Sequence, residues 1–420
     1  MKTKTGILKA IMYLIVVVVL LDSSTMYRYL TNTPLYGRGF GWLMGILCLL
    51  FLVTAGSLSI RQGQLIRLVV IVAAFLVYAL VTRYNTNRFL TSFVGVFVCL
   101  FLFSCVLYRK GLMQEFLTVY SRVMLILAVV SLFFWLFGSV LDILPGRREL
   151  VYYWADHYRT TYTYFYMYFE NPVQNNVHST LCNVGIFAEA PGYSGFLTYA
   201  LLIEMVTRKF ADTKDKQRKA IISIVIFVVT LLSTSSTKGI IVVMIAIAIN
   251  YVSKGSRNRS AAVVKIVAAS VAIAGIAFVS SALIGEKMLT TSGMVRMDDF
   301  IAGLKAFLQH PLFGAGYNNS QAIIDFQNVS RSNRGLSMGL TVLMSYGGLW
   351  LLSIYVGAAA VSYKSQYFRT NRSVWFLVIA VLVFNLLISN SAFSIPYIFL
   401  LAAAYAGQGD SAHVRWAKVV

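Results

Sequence analysis

Charged residues are scarce in this sequence, and their scarcity decides the class of protein. Of 420 residues, 12% are charged and 58% are hydrophobic, whereas a soluble domain typically carries about 25% charged residues. The apolar residues form many runs of the roughly 20 residues that a helix needs to cross a bilayer. They do not alternate residue by residue, as in a membrane barrel. The composition excludes a soluble enzyme with one anchor and predicts an all-α polytopic membrane protein.

Cysteine and histidine are also few, with four of each. Cys48, Cys99 and Cys105 fall within predicted helices, which leaves Cys182 alone in a loop. No two histidines have the spacing of a metal site. We therefore expect neither a disulfide framework nor a metal cluster.

Acidic residues number 15 against 36 basic ones, and the net charge is +21. In membrane proteins Lys and Arg accumulate in loops that stay in the cytoplasm. Most of the basic residues fall on one side if the N-terminus is inside, so the charge is a topology signal and predicts no nucleic-acid partner. An even number of crossings then puts both termini in the cytoplasm.

The apolar runs predict about twelve transmembrane helices, with approximate ranges of 7–21, 41–60, 65–82, 90–108, 117–141, 190–206, 219–233, 238–252, 261–284, 336–362, 373–388 and 391–406. Two outer connections are long, and loops of such length are usually functional or disordered. The first is rich in aromatic residues, which argues against disorder. The chain therefore divides into helices one to five (1–141), a first long outer loop (142–189), helices six to nine (190–284), a second long outer loop (285–335), and helices ten to twelve with a cytoplasmic tail (336–420).

The predicted helices contain almost no ionisable side chains. The one clear candidate is Glu204, and an ordinary helix-end carboxylate facing Arg208 and Lys209 explains it as well. Ion-driven transporters usually place charged groups at mid-membrane. The sequence therefore argues against a transporter and places the chemistry on the outer loops.

Gly314 and Gly316 lie in the second long loop, behind an amphipathic stretch over 297–308 that Pro311 ends. The two glycines permit a tight turn or the close approach of a ligand. This arrangement, with Arg296 before it, resembles the O-antigen ligase and polymerase superfamily, whose members carry an Arg, a short helix and an "hPlfGxG" element in a large outer loop. Residues 185–192, GIFAEAPG, resemble the family's "GxFxEPG" segment, and residues 233–239, STSSTKG, are similar to its "SxSRG" element.

The resemblance spans roughly residues 180–390, and its departures favour one branch. Ser332 stands where ligases usually have a histidine, Lys238 replaces a common Arg, and Cys182 occupies the place of another. The resemblance therefore implies a Wzy-type polymerase of the glycosyltransferase C class. Such an enzyme joins undecaprenyl-diphosphate-linked oligosaccharide repeats into O-antigen, capsular polysaccharide or exopolysaccharide on the outer face of the bacterial cytoplasmic membrane. It would use no cofactor, and its partners would be the lipid-linked oligosaccharide, membrane lipids, a flippase and a chain-length regulator.

Three other functions stay open at this point. An O-antigen ligase would transfer a completed glycan from its lipid carrier to a different acceptor. A transporter would move lipid-linked glycans without reacting them. A non-catalytic scaffold of an envelope assembly machine would tolerate the loss of every outer cation.

The polymerase reaction needs cations at the membrane surface, because the departing lipid diphosphate develops negative charge. Candidates for diphosphate binding are Lys238, Arg296, Arg331 and Arg334. For Arg296 a surface ion pair with Asp298 or Asp299 is the alternative. The other three cations would otherwise be ordinary surface charges.

Candidates for the remaining roles are a carboxylate, a histidine and a row of tyrosines. Glu189 is either a general base or a carboxylate that interacts with the dipole at a helix N-terminus. His310 is either catalytic or a capping residue at the helix end. Four tyrosines recur at every second position: Tyr162, Tyr164, Tyr166 and Tyr168. On an extended segment they would lie on one face, where they would either bind a glycan or form an interfacial aromatic belt.

Overall fold

The computed structural model describes residues 2–23, 25–31, 39–56, 60–154, 157–174, 179–252, 291–329, 336–365 and 372–407. Most of these residues are helical. The helices are α1 (Lys2–Asp22), α2 (Met26–Thr31), α3 (Phe40–Ala55), α4 (Gln62–Thr82), α5 (Thr86–Phe89), α6 (Gly95–Lys110), α7 (Met113–Phe134), α8 (Ala190–Phe210), α9 (Lys214–Ser233), α10 (Thr237–Val252), α11 (Thr291–Gln309), α12 (Gln321–Ile324), α13 (Gly339–Lys364), α14 (Arg372–Ile388) and α15 (Ile395–Ala406). A π-helical stretch, Leu90–Val94, joins α5 to α6, and another, Trp135–Val140, extends α7.

Eleven of the twelve predicted hydrophobic segments coincide with helices of the structure. The twelfth, residues 261–284, lies outside the described residues. Among the described residues, five helices are able to cross a membrane by length and composition: Thr5–Asp22, Gln62–Thr82, Thr86–Lys110, Met113–Val140 and Gly339–Lys364. The total number of crossings stays a prediction.

The first long loop is not helical in its described residues, so the expectation of an all-α chain needs correction. It folds into an antiparallel sheet of four strands in chain order: β1 (Arg147–Trp154), β2 (His157–Tyr164), β3 (Tyr168–Gln174) and β4 (Ser179–Gly185). Tyrosine and threonine are abundant in β1 and β2, and these residue types fit a pleated, half-buried surface. The local composition of this segment therefore favours strands within a mostly helical chain.

The sheet is attached to the helical bundle through β4, which packs against α7, α8 and α9. Asn183 of β4 is buried, and its side-chain amide donates hydrogen bonds to Ser131 Oγ at 3.2 Å and Ser233 Oγ at 2.9 Å. Beside it, the buried carboxylate of Glu170 accepts a hydrogen bond from Ser139 and pairs with Arg147 Nε at 3.0 Å. Because buried polar groups need such partners, these bonds hold the sheet in one orientation on the bundle.

The second half of the bundle is tied to α4 around a break in α13. Gly348 has a φ of 58° and a ψ of −161° inside this helix, which frees nearby backbone groups for other partners. The Tyr78 hydroxyl donates to the Tyr346 carbonyl at 2.6 Å, and Trp350 Nε1 donates to the Ala74 carbonyl at 2.9 Å. These two bonds join α4 to both sides of the break.

Candidate active site

A cavity of about 3200 Å³ lies at the end of the bundle that carries the sheet. Its wall is formed by α3, the segment from α5 to α6, the first turns of α8 and α10, α11, and the connection between α14 and α15. Three of the predicted site residues face this cavity: Glu189, Lys238 and Arg296. The fold thus brings together residues from three of the motifs found in the sequence.

Glu189 stands at the N-cap of α8, where β4 turns back into the bundle. Gly185 makes this turn with a φ of 58°, and a Cβ there would lie 3.0 Å from the Tyr193 ring. The Phe187 ring then stacks on Tyr193 at a centroid distance of 5.3 Å. The backbone before Glu189 is held from the sheet as well, because Asn171 Nδ2 donates to the Ala188 carbonyl at 2.7 Å. The position of Glu189 is therefore set by a tight turn, a ring stack and a hydrogen bond.

The Glu189 carboxylate does not cap the helix that it begins. No side-chain capping bond is formed, and Oε1 lies 3.6 Å from an Arg159 guanidinium nitrogen on β2. Burial raises the pKa of Glu189, whereas the charges of Arg159 and Arg296 oppose that rise. A partly buried carboxylate with a raised pKa is a suitable proton acceptor, so the geometry fits a base better than a cap.

Lys238 is a buried cation in the first turn of α10, with 3% of its surface exposed. Its Nζ donates to the Pro191 carbonyl at 3.2 Å and to Ser389 Oγ at 3.0 Å. It forms no ion pair with any residue that the structure describes. A buried ammonium held only by neutral oxygens is costly, and it faces the cavity, so an anion entering there would supply the missing charge.

Gly195 of α8 makes the space for this ammonium. A Cβ at Gly195 would lie 3.0 Å from Lys238 Nζ. Gly192, one turn earlier on the same helix, has nothing within 4 Å of its Cβ position. Only one of the two glycines is therefore required by the packing around Lys238.

Arg296 lies on α11 near both other groups. Its charge interacts with those of Glu189, Asp299 and Lys238. Within the described parts of the chain it has no ion pair at 4 Å or less. The alternative partners are bonded elsewhere: Asp299 accepts from Gln327 Nε2 at 2.8 Å, and Asp298 accepts from the Asn328 amide at 3.2 Å. Among the described residues the guanidinium thus has no close ion-pair partner, and it lines the cavity.

Asp299 also fixes the chain on the far side of the second long loop. It is 2% exposed, and it accepts hydrogen bonds from the backbone amide and the hydroxyl of Ser337 at 2.8 and 2.5 Å. Both flanks of the segment 330–335 are thus attached to α11. Arg331 and Arg334 belong to that segment and lie outside the described residues.

His310 is not in this cavity. It is exposed at the end of α11 and lines a separate cavity of about 560 Å³ together with Tyr84, Asn319 and Asp325. Its carbonyl accepts the Gly314 amide at 2.8 Å, so its backbone helps to end the helix. The proposed catalytic role places His310 beside Glu189 and Arg296, and the structure does not bring them together.

Gly314 and Gly316 pack closely against other segments of the protein, not against a ligand. Their φ values are 70° and 102°. A Cβ on Gly314 would lie 2.4 Å from the Tyr346 backbone, and a Cβ on Gly316 would lie 2.5 Å from Tyr84 Cβ. The Gly316 amide donates to the Tyr346 carbonyl at 3.1 Å, and the Leu349 amide of α13 donates to the Pro311 carbonyl at 2.8 Å. The loop is thus hydrogen-bonded to the helix break at Gly348.

The four tyrosines do not share one face, so the expected single extended segment is wrong. Tyr162 and Tyr164 lie on β2, Tyr166 lies in the turn that follows, and Tyr168 begins β3. Tyr164 and Tyr168 are fully buried and stack on Phe134 of α7 at 5.9 and 5.8 Å. Their rings fill the space between sheet and helix, so of the four tyrosines only Tyr162 and Tyr166 keep exposed surface.

Several cavity residues were not expected from the sequence. Arg159 pairs with Glu189, Ser389 binds Lys238, and the cavity wall also includes Arg28, Arg83 and Arg88. None of them lies in a recognisable motif, so no signal in the sequence separates them from other polar residues in loops. Among the described residues, no group of His, Cys, Asp and Glu side chains is arranged to hold a metal ion.

Comparison with known proteins agrees with these motifs. A family model described as O-Antigen ligase matches residues 222–337, a range that contains Lys238, Arg296 and the Gly314 loop. No curated protein and no solved structure gives a match. Residues 222–337 are thus similar to the O-antigen ligase family, which supports the resemblance to the O-antigen ligase and polymerase superfamily, and the long apolar helices are those of a membrane protein.

Proposed function

We propose that the protein is a polysaccharide polymerase that joins lipid-diphosphate-linked oligosaccharide repeats. The observation that carries the proposal is the buried Lys238, which has no anionic partner among the described residues and faces the same cavity as Arg296 and Glu189. Two cations beside one carboxylate suit a reaction in which a diphosphate leaves and a hydroxyl attacks. Such fixed cations stabilise charge that develops in the transition state.

In the proposed reaction a sugar hydroxyl of the acceptor attacks the anomeric carbon of the donor glycan. The new bond joins the hydroxyl oxygen to that carbon, and the bond from the carbon to the lipid diphosphate breaks. Glu189 accepts the hydroxyl proton. The lipid diphosphate leaves with the electrons of the broken bond, and Lys238 and Arg296 stabilise its negative charge. Arg159 holds the carboxylate of Glu189 on the cavity side of α8.

The choice of polymerase over ligase rests on the sequence and on the needs of the reaction. Ser332 replaces the histidine that ligases usually carry, and a polymerase must hold two lipid diphosphates at once. The further arginines on the cavity wall, Arg28, Arg83 and Arg88, would suit a second diphosphate. The description of the matching family model favours a ligase as the second candidate.

The test is to delete the gene and to separate the lipid-linked glycans of the strain by size. A polymerase predicts that single repeats accumulate and that long chains disappear. Long chains retained on the carrier would instead identify a ligase. An unchanged profile would remove glycan assembly as the function in that strain.

The site is tested by returning variants to the deletion strain. Arg296→Ala should abolish polymer at an unchanged level of protein in the membrane. Arg218→Ala is the matched control, because Arg218 is exposed on α9 and does not line the cavity. Normal polymer length and amount in the Arg296→Ala strain would contradict the proposed role of Arg296.

A further inference from the structure

The turn between β2 and β3 exposes three large apolar side chains in sequence. Phe165 is 64% exposed and Met167 is 57% exposed, and Tyr166 between them is exposed too. Phe165 and Tyr166 have φ values of 53° and 58°, a left-handed conformation that residues other than glycine rarely adopt. Hairpin turns with this geometry usually carry Asn-Gly or Asp-Gly. Backbone geometry alone therefore gives no reason for aromatic residues at this turn.

The turn is held firmly at the end of α7. The Tyr27 hydroxyl donates to the Tyr166 carbonyl at 2.8 Å. On either side of the turn, Tyr164 and Tyr168 are stacked on Phe134, and Gly138 leaves room for the Tyr164 ring, since a Cβ there would lie 2.7 Å from it. The exposed side chains are thus presented by a rigid support.

The surface beside the turn is already apolar and belongs to a helix that is able to span a membrane. The helix Met113–Val140 is long and apolar enough to cross a bilayer. Its last turns and the chain that follows expose Leu136, Val140, Leu141 and Ile143. The Phe165 ring lies 6.3 Å from the Phe134 ring of the same helix. The apolar turn therefore continues the exposed apolar surface of a helix that is able to span a membrane.

A cation stands next to this apolar patch. Arg147 and Arg148 begin β1, and in the sheet register they are paired with Tyr164 and Thr163, the last residues of β2 before the turn. Arg147 pairs with Glu170, whereas Arg148 is exposed. Aromatic rings with a neighbouring exposed cation match the interface of a bilayer, where rings sit at headgroup level and cations meet lipid phosphates.

We propose that the β2–β3 turn, residues 165–167, is a membrane anchor of the sheet. Its side chains insert into the lipid headgroup region of the leaflet next to the sheet, at the end of α7 that carries Phe134. This contact holds the sheet, and with it Arg159, in place at the cavity. The partner is the lipid surface itself, and the inference does not depend on which reaction the cavity performs.

The opposite end of the same hairpin provides an internal control. Tyr158, near the start of β2, is 76% exposed and packs edge-on against Tyr153 at 5.3 Å. It lies six residues before Tyr164 on the strand, which corresponds to about 20 Å at ~3.3 Å per residue. If the turn contacts the membrane, this end of the hairpin should remain in water.

The experiment compares nitroxide spin labels at these two ends in lipid nanodiscs. The variants Met167→Cys and Tyr158→Cys are made with the four native cysteines replaced by alanine. Power-saturation electron paramagnetic resonance then measures access of molecular oxygen, which enters lipid, and of a water-soluble nickel chelate. We expect the Met167 label to be oxygen-accessible and shielded from nickel, and the Tyr158 label to show the reverse. Equal nickel access at both positions would overturn the proposal.

A second measurement needs no cysteine variant and separates an anchor from an ordinary turn. The double substitution Phe165→Asn and Tyr166→Gly supplies the residues that this turn geometry prefers and removes both aromatic rings. If the rings anchor the sheet in lipid, amide hydrogen exchange in β2 and β3 should be about tenfold faster in nanodiscs. If the turn has only a structural role, exchange should be unchanged or slower, and that result would refute the anchor.

Discussion

Substituting Lys238 by methionine should separate the function of this residue from its contribution to folding. The side chain of methionine has a similar length and no charge, so Lys238→Met keeps most of the packing beneath the cavity. The ammonium has three N–H donors, and Pro191 and Ser389 accept two of them. One donor thus remains for an anion. Loss of a single preorganised donor of this kind typically slows a reaction by about 100-fold to 1000-fold.

The same substitution should leave stability unchanged or increase it. Lys238 is buried, and within the described residues it has no carboxylate partner. Because placing an unpaired charge in the interior costs several kcal/mol, a neutral side chain relieves that cost, and the apparent Tm in nanodiscs should stay equal or rise. The assay is the initial rate of polymer formation from a synthetic lipid-linked repeat, with thermal unfolding of the same preparation.

Lys219→Met is the matched control, since Lys219 is exposed and pairs with Asp215 at 2.7 Å. Its rate should equal that of the wild type. The reasoning would be refuted if Lys238→Met kept the full rate, because no anion would then depend on the ammonium. It would also be refuted if the rate fell only in step with a lower Tm, because the role of Lys238 would then be structural.

Three further predictions concern the pH dependence of the site, the packing around the buried ammonium and the sheet. The pKa of Glu189 is raised by burial, so the rate of polymer formation should increase with pH as this carboxyl loses its proton. The Glu189→Gln variant should be slow, and its rate should not depend on pH. If the variant kept the pH–rate profile of the wild type, Glu189 would be excluded as the base. Gly195→Ala should reduce the rate about tenfold, because the added Cβ would displace the Lys238 ammonium. Gly192→Ala should not change the rate, since its Cβ would meet no neighbour. Equal rates for the two variants would show that the contact between Gly195 and Lys238 is unimportant. Burial also raises the pKa of Glu170 while Arg147 opposes that rise, so Arg147→Ala should raise this pKa further. A carboxyl whose pKa is raised in the folded state makes the protein less stable as pH increases, so the Tm of the variant should fall more at pH 8 than at pH 5. A fall in Tm that is independent of pH would exclude this explanation.

Properties that depend on a short stretch of sequence could be predicted well. The helices follow from apolar runs whose length matches a bilayer, because hydrophobicity and length are local quantities. The end of α11 at Pro311 is equally local, since a proline cannot continue the hydrogen bonding of a helix. The positions of Glu189, Lys238 and Arg296 within conspicuous motifs also made them candidates before their contacts were known.

The sheet could not be predicted from local sequence alone. Tyr162, Tyr164, Tyr166 and Tyr168 have the period of a strand, and part of the interval is indeed β2. The reversal at residues 165–167 carries no glycine, asparagine or proline, the residues by which such turns are normally recognised. The sequence pattern alone therefore predicts one continuous extended segment where the structure has two strands joined by a turn.

The amino-acid sequence by itself determined that this is a membrane protein, where most of its helices lie and which superfamily its motifs resemble. Only the tertiary structure decided that Glu189, Lys238 and Arg296 face one cavity while His310 faces another. It also decided that Gly314 packs on the break in α13 instead of on a ligand. The physical reason is that the surroundings of a charge or a glycine come from segments distant in the chain, and a linear sequence does not display their packing.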